Sequence, residues 1–199
     1  MSDYRYLDSD NIYTDPQTGI LRNKPSIRDA KLLQVFESFQ ASNRLEQLIS
    51  KPLKIRNSTA LLKIHKHLFQ DVYSWAGKTR TVEISKQGKQ FLPVHRLSRG
   101  FAYIDKLIDE YRRIKNNDLK TVAKKLAEIL DNINYLHPFR EGNGRTQREF
   151  LRTLALEKKL TLNLNPPDSL SVYKRYMRGT IHGNSKLLAK LIFELIVVK

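Results

Sequence analysis

Apolar residues recur at steps of three and four along much of the chain, which is the spacing of a helix that buries one face. In residues 58–76 these positions fall on one side, and Gly77 supplies a stop. Asn57 or Ser58 provides the cap at the start of this segment. The same spacing predicts three more helices, over residues 98–115, over residues 118–135 with Asp118 as N-cap, and from about Ser185 onward.

The period changes to two between the first and second of these helices. Residues 81–85 alternate apolar and polar side chains, and Gly88 lies in a turn before Phe91. We therefore predict a small β-hairpin over residues 80–93, inserted in a mostly α helical bundle. A hairpin alone is marginally stable in water, so it should pack against the helices or gain a partner strand. Residues 159–170, with Pro166-Pro167, are predicted to form a loop.

Positive charge dominates the composition. The chain has 36 Lys plus Arg against 20 Asp plus Glu, a net charge of +16 at pH 7. Residues 1–18 form an acidic N-terminal extension with four Asp and one Arg, so the remainder carries +19. Nucleic acid, an anionic membrane or an acidic protein would each suit such a surface. Lysines along helices also solvate exposed faces without binding anything, so the distribution of charge matters more than its sum.

Several classes of protein are excluded by composition. The chain has no Cys, which rules out disulfides, a Cys-based zinc site and a thiol nucleophile. The apolar stretch over residues 191–198 is short and is interrupted by Glu194, so no membrane span is expected. A signal peptide has basic residues followed by an apolar stretch, whereas the first residues of this chain are acidic, so we expect no signal peptide.

Residues 137–148, with the sequence HPFREGNGRTQR, carry the most informative motif. Pro138 disfavours helical geometry in the residue before it, and Gly142-Asn143-Gly144 then opens a new helix. Unpaired N–H groups at a helix start, together with the positive end of the helix dipole, form an anion site suited to phosphate.

The charged side chains of this segment complete the pattern. Arg145 and Arg148 lie three residues apart, so both can reach the same phosphate group. Glu141 stands at the mouth of the anion site, where a carboxylate makes sense if Mg²⁺ bridges it to phosphates. His137 has a side chain suited to accepting a proton from a hydroxyl at neutral pH. Together these residues predict a nucleotidyl-transfer site.

The same twelve residues resemble the signature of the Fic family, HPFx[D/E]GNGRxxR, and match it at every fixed position. Residues 64–80 are also similar to Fic sequences, as are residues 183–185 with the Leu-rich helix after them. The likeness covers about residues 10–198, and no linker or repeat divides the chain. We therefore predict a single Fic domain over residues 1–199.

The resemblance implies a Fic fold, a helical bundle with the hairpin as a flap beside the active-site loop. It also implies a protein adenylyltransferase that moves AMP from ATP to a Ser, Thr or Tyr hydroxyl of a target protein. In that scheme His137 deprotonates the hydroxyl and Glu141 holds Mg²⁺. The phosphate-binding residues are Gly142, Asn143 and Gly144 through their N–H groups, Arg145 at the β-phosphate and Arg148 at the γ-phosphate. Asn143 is also expected to touch the α-phosphate.

In Fic proteins the flap pairs with an extended segment of the target. The resemblance therefore assigns target docking to Val82, Ile84, Lys86, Gln87, Gly88, Lys89 and Phe91. Basic residues in and beside this flap, which include Arg96 and Arg99, favour an acidic target surface.

Regulation can also be predicted from the resemblance. Fic proteins are commonly inhibited by a helix carrying [Ser/Thr]-x-x-x-Glu-[Gly/Asn], whose Glu pairs with the second arginine of the signature, here Arg148. The only Glu followed by Gly or Asn is Glu141, which belongs to the signature itself. The chain thus resembles Fic toxins with a separate small antitoxin, and the Fic domains of type IV-secreted Bartonella effectors. Such proteins act in the bacterial cytoplasm or are delivered into a host cell.

Two other functions remain open from the residues alone. The same fold could transfer another nucleotidyl group or a phosphocholine, because the signature specifies the diphosphate and Mg²⁺ more than the base. A basic module that binds nucleic acid is disfavoured, since no DNA-reading fold is recognisable. His65 and His67 lie two apart on a helix and point in different directions, so we assign no metal beyond Mg²⁺.

Overall fold

The computed structural model describes residues 4–6, 8, 11–86, 88–164 and 169–198. In this part of the chain the helices are α1 (Ala30–Ser50), α2 (Ala60–Phe69), α3 (Leu97–Arg113), α4 (Leu119–Leu136), α5 (Asn143–Leu156), α6 (Leu170–His182) and α7 (Ser185–Leu195). The strands are β1 (Tyr4–Tyr6), β2 (Ile84–Lys86), β3 (Lys89–Gln90), β4 (Leu160–Thr161) and β5 (Val197–Val198). The predicted mostly α fold is confirmed.

Helix α4 lies in the middle of the fold and contacts α3, α5, α6 and α7. Its Leu126 and Leu130 are fully buried, and the side chain of Asp118 caps it by accepting from the Thr121 N–H at 3.1 Å. Packing on several sides fixes the position of the residue at its end, His137. No helix in the described ranges combines the length and the apolar character needed to cross a bilayer.

Helices α3, α4 and α7 confirm three predictions, whereas the helix predicted over residues 58–76 ends early. Helix α2 stops at Phe69, and turns follow it. The Gly77 N–H donates to Nδ1 of buried His65 at 2.8 Å, and the rings of Tyr73 and Trp75 stack 4.2 Å apart. These tertiary contacts fold the chain back against α2, so they override the helical period beyond residue 69.

The start of α2 also differs from the prediction. Its N-cap is Thr59, without a side-chain capping bond. Asn57 Oδ1 accepts from the Thr59 N–H at 3.2 Å, and the Ser58 hydroxyl donates to the Phe101 carbonyl at 3.0 Å. Both predicted caps therefore stabilise the segment before the helix, but neither of them caps it.

Helices α1 and α6 have no counterpart in the predictions from sequence. In α1 the apolar side chains of Leu32, Val35 and Phe39 are exposed, while Leu33 and Leu48 are buried. Apolar residues on both sides of a helix blur the period by which a buried face is recognised. Helix α6 does bury one face, through Val172, Tyr176 and Thr180, so its period is present in the sequence and the prediction missed it.

The predicted hairpin is confirmed and gains a partner strand. Strands β2 and β3 pair antiparallel around a turn in which Gly88 has φ +77. Strand β1 pairs antiparallel with the other edge of β2, with Tyr6 opposite Ile84. The flap, residues 80–93, is thus part of a sheet in the order β1-β2-β3. Gln87 lies outside the described residues.

Residues 159–170, predicted as a loop, contain a short strand. β4 pairs antiparallel with β5, with Leu160 opposite Val198 and Thr161 opposite Val197. The loop prediction is therefore wrong for these two residues, because the end of the chain supplies a partner that lies far away in sequence. The predicted turn residues Asn165, Pro166 and Pro167 lie outside the described residues.

The crossing of α6 and α7 requires a residue without a side chain at Gly179. A Cβ there would lie 2.4 Å from Cδ2 of the fully buried Leu188. We expect Gly179→Ala to lower the free energy of unfolding by about 1–3 kcal/mol, since the helices must separate to admit the methyl group. Urea denaturation measures this change. Ser171→Ala, on the exposed side of α6, is the control, and equal effects of the two substitutions would contradict close packing at this crossing.

Candidate active site

The signature begins where α4 ends, and its backbone is held in conformations that few residues adopt. His137 closes α4 with φ 43, and Gly142 precedes α5 with φ +80. A Cβ on Gly142 would lie 2.4 Å from Cε2 of Phe69, so only glycine fits there. The chain therefore reverses between the two helices and presents residues 137–142 on one side of the fold.

The side chain of Asn143 fixes the shape of this loop. Its Oδ1 accepts from the Phe139 N–H at 3.0 Å, and its Nδ2 donates to the Phe139 carbonyl at 2.8 Å. The Thr146 hydroxyl donates to the Gly142 carbonyl at 3.0 Å. Because the amide of Asn143 is turned inward, this residue can serve a ligand only through its backbone N–H group.

The side chain of His65 stabilises this loop, a role that reasoning from the sequence missed. Its Nδ1 accepts from Gly77, so its Nε2 carries the proton and donates to the Glu141 carbonyl at 3.0 Å. The imidazole also stacks on Phe139 with ring centroids 3.8 Å apart. Burial lowers the pKa of His65 to about 3, so the ring is neutral. The sequence gives one indication of this role, since His65 and Gly77 both lie in the stretch 64–80 that is similar to Fic sequences.

Arg80, also in that stretch, joins the loop to the flap. The buried guanidinium donates to the carbonyl oxygens of His137 at 2.8 Å and Val82 at 2.8 Å, and also to that of Leu92. Its own N–H donates to the Pro138 carbonyl at 2.8 Å. A single side chain thus holds both ends of the flap against the residue that ends α4.

A cavity of about 580 Å³ opens between the flap, the end of α4, the start of α5 and α6. That volume lies in the usual range for small-molecule sites, roughly 300–1,000 Å³. The predicted site residues on its wall are His137, Glu141, Gly142, Gly144, Arg145, Arg148, Lys86, Lys89 and Phe91. Helix α6 adds Tyr173, Tyr176 and Met177, which no sequence pattern indicates.

His137 has the environment of a neutral base. Its Nδ1 lies 3.2 Å from the Asn134 carbonyl, which can only accept, so Nδ1 carries the proton and Nε2 has the lone pair. The ring stacks on Phe91 of the flap with centroids 3.7 Å apart. Burial is the main cause that lowers the pKa of His137 to about 3. The imidazole is therefore neutral at pH 7, with Nε2 unprotonated.

Glu141 is a carboxylate in an environment that disfavours its charge. Burial raises its pKa first, and the nearby carboxylate of Glu37 raises it further. Its Oε1 accepts from the Gly142 N–H at 2.9 Å. Among the described residues no group of three or more His, Cys, Asp or Glu side chains could hold a metal. A cation at Glu141 would therefore need other ligands, such as phosphate oxygens and water.

The two arginines of the signature have different neighbours. Arg145 forms an ion pair with the buried carboxylate of Glu37 in α1, and its guanidinium lies 4.7 Å from the centroid of the Phe69 ring. Arg148 lies over Tyr176 at 5.3 Å and over Tyr173 at 6.0 Å from the ring centroids. No carboxylate pairs with Arg148 in the part of the chain described. Nothing in the sequence indicates the contact between Glu37 and Arg145.

The flap residues divide into two groups. Val82 and Ile84 have buried side chains in the core, so these side chains cannot contact a target. Lys86, Lys89 and Phe91 line the cavity. Gly88 forms the turn of the hairpin.

Comparison with known proteins identifies residues 55–155 with the model of the Fic/DOC family. The chain is 33% identical over 189 residues to the protein adenylyltransferase VbhT of Bartonella schoenbuchensis, a match over 94% of this chain. The chain spans only 39% of the length of that relative. It is also 34% identical over 182 residues to y4lH of Sinorhizobium fredii, named a probable protein adenylyltransferase, covering 90% of this chain and 91% of the relative.

Solved structures have the same fold. The BepC protein of Bartonella tribocorum, solved with bound AMPPNP, superposes with a TM-score of 0.82 at 20% identity, over 95% of this chain and 98% of the other. The N-terminal Fic domain of a Bartonella quintana effector, solved with bound ADP, has a TM-score of 0.83 at 20% identity, over 94% and 95% of the two chains. Likeness at this level of identity supports the architecture described above.

The neutral state of His137 makes stability depend on pH. Its pKa is about 3 in the folded chain and about 6.5 when unfolded, so the unfolded chain binds more protons as the pH falls below 6.5. We expect this residue alone to lower the unfolding free energy by about 1.4 kcal/mol between pH 7.5 and 5.5. Urea denaturation at both values, on the wild type and on His137→Ala, isolates the effect. An equally large pH dependence in the variant would contradict a buried neutral His137.

Proposed function

The chain belongs to the Fic/DOC family, and on that premise we propose that it is a protein adenylyltransferase. It transfers AMP from ATP to the hydroxyl of a Ser, Thr or Tyr residue of another protein and releases pyrophosphate. The observation that carries the proposal is the cavity in which neutral His137 faces the start of α5 and Arg148. The names of VbhT and y4lH, and the AMPPNP bound to BepC, support the same activity.

The start of α5 binds the phosphates in this proposal. The N–H groups of Asn143 and Gly144 are the first of α5 and have no partners one turn earlier within it, so they suit phosphate oxygens. The Gly142 N–H would join them by leaving Oε1 of Glu141. The two arginines of the signature lie one turn further along and bind the outer phosphates. To do so, Arg145 must share its guanidinium with Glu37 or leave it.

Glu141 is the residue that would hold Mg²⁺. The fit rests on a buried carboxylate at the cavity wall whose raised pKa a neighbouring cation would lower, beside a site built for phosphate. One carboxylate combined with phosphate oxygens and water is a common way for proteins to bind Mg²⁺. When bound, the cation offsets the negative charge of the phosphate oxygens.

The chemical step needs little covalent work from the protein. Nε2 of His137 accepts the hydroxyl proton while the hydroxyl oxygen forms a bond to the α-phosphorus of ATP. The bond from that phosphorus to the oxygen bridging the β-phosphate breaks, and pyrophosphate leaves. Because the chain has no thiol, direct in-line transfer is favoured over a cysteinyl intermediate. The loop and the arginines align the reactants and stabilise charge.

The target docks on the flap. Strand β1 already occupies the outer edge of β2, so within the hairpin it is β3 that offers a free edge. An extended segment added there would run beside the cavity, because Lys89 and Phe91 line its wall. This arrangement would bring a hydroxyl of the target towards His137.

Regulation in this proposal comes from a separate small antitoxin carrying the [Ser/Thr]-x-x-x-Glu-[Gly/Asn] helix. The supporting observation is that Arg148 contacts Tyr173 and Tyr176, and no described carboxylate pairs with it. An incoming Glu would compete with the γ-phosphate for this guanidinium. The protein then acts in the bacterial cytoplasm, or in a host cell after type IV secretion.

His137→Ala should abolish AMP transfer while ATP still binds. We expect a loss of at least about a hundredfold, because removal of a general base costs that much or more. Transfer from α-labelled ATP to proteins of a lysate measures activity, and titration calorimetry with ATP and Mg²⁺ measures binding. His95→Ala, exposed at the surface, is the matched control. Full transfer by His137→Ala would exclude His137 as the base.

Glu37→Gln tests whether regulation lies within the chain instead. The substitution keeps the size of the side chain and removes the charge that holds Arg145. If inhibition comes from a separate antitoxin, the purified wild type transfers AMP, and Glu37→Gln changes its rate by less than about threefold. An inactive wild type that Glu37→Gln activates by about tenfold or more would show an inhibitor in cis and contradict the antitoxin proposal.

A further inference from the structure

A second cavity lies on the far side of Tyr135 from the active site. Its volume is about 300 Å³, and it is enclosed by the end of the flap, the start of α3 and the end of α4. The lining that matters for its chemistry is formed by Leu92, Arg96, Arg99, Tyr103, Tyr135 and Leu136. We call it the arginine cavity. Tyr135 lines both cavities, so the two are neighbours.

The arginine cavity has an apolar floor and a polar rim. At Gly100 an added Cβ would lie 2.6 Å from both Leu92 Cδ2 and Leu136 Cδ1, so the floor is closely packed. Tyr103 is 47% exposed and Tyr135 52%, which is high for such large side chains. Exposed aromatic rings around an apolar floor are typical of surfaces that contact another molecule.

The rim of the arginine cavity carries positive charge. The sequence has no acidic residue between Glu83 and Asp105, and neither Arg96 nor Arg99 forms an ion pair with any described residue. Asn132, also on the wall, uses its Nδ2 to donate to the Glu128 carbonyl. Two guanidinium groups beside tyrosine hydroxyls match the acceptors of a carboxylate, which they can bind through paired hydrogen bonds.

The flap leads from the active site to this cavity. The Phe91 N–H donates to the Ile84 carbonyl across the hairpin at 3.1 Å. Because successive residues of a strand direct their N–H and C=O groups to opposite edges, those of Gln90 point to the outer edge of the hairpin. On that outer side the Leu92 N–H donates to the Tyr135 carbonyl at 3.0 Å. A segment paired at Gln90 must leave the strand edge at Leu92, whose N–H is already bonded. At about 3.3 Å per residue, its next two or three residues extend to the arginine cavity beside Leu92.

We propose that the arginine cavity binds the carboxylate of an Asp or Glu residue that lies two or three positions from the modified hydroxyl in the target protein. The inference rests on the proposed adenylyl transfer and adds a recognition site to it. The flap selects an extended backbone, whereas Arg96 and Arg99 select an acidic side chain at a fixed spacing.

Fluorescent peptides of one length test this spacing by anisotropy. Each contains one hydroxyl residue. The near-Glu peptide has two Glu at the second and third positions from it, and the far-Glu peptide has them at the sixth and seventh positions. The Gln peptide has Gln in place of the near Glu pair. Each pattern is made on both sides of the hydroxyl. Three proteins are compared. They are the wild type, a double variant with Arg96→Gln and Arg99→Gln, and a control double variant with Arg113→Gln and Lys120→Gln. The control loses the same charge elsewhere, since Arg113 lies at the other end of α3, about 25 Å from Arg96, and Lys120 lies at the start of α4.

The wild type and the control should bind the near-Glu peptide about tenfold more tightly than the Gln peptide, and the Arg96 and Arg99 variant should lose this advantage. Equal loss in both variants, or equal affinity for the far-Glu peptide, would overturn the proposal, since either shows a general attraction of negative charge. Preferential loss of single-stranded DNA binding in the Arg96 and Arg99 variant would overturn it too. Mass spectrometry of the same peptides after incubation with ATP tests the adenylyl transfer separately, because peptide binding needs no ATP.

Discussion

The guanidinium of Arg80 donates hydrogen bonds to the carbonyl oxygens of His137, Val82 and Leu92 from a fully buried position. Burial lowers the pKa of this guanidinium, and the carboxylate of Glu83 partly compensates. A charge in the interior is tolerated only when such partners surround it. Because those partners are the end of α4 and the two ends of the flap, the position of the base and that of the docking strand are set together.

The site built on this support combines a rigid loop with groups whose charge is poorly compensated. Asn143 and His65 hold the loop, while burial keeps His137 neutral and raises the pKa of Glu141. Arg145 is balanced by Glu37, whereas Arg148 lies over the ring of Tyr176 and no described carboxylate pairs with it. A triphosphate with a cation would supply the charges that this cavity lacks.

The sequence allowed the mostly α fold, the hairpin and the cavity-lining signature to be predicted, since each depends on residues close together in the chain. The limits of α2, the strand pair β4 and β5, and the support of the loop by His65 depend on contacts between distant segments. Glu37 is the clearest case, because it meets Arg145 across 108 residues of sequence. Periodicity failed for α1 because apolar residues such as Phe39 also face outward.

Which phosphorus atom of ATP is transferred is the most direct test of this account. The purified chain is incubated with Mg²⁺, a lysate and ATP labelled in parallel at the α- or the γ-phosphate, and mass spectrometry identifies the proteins that are labelled only when the chain is present. We expect label from the α-position only, as one adenylyl group on a Ser, Thr or Tyr side chain. Label from the γ-position, or none from the α-position, would contradict adenylyl transfer by this site.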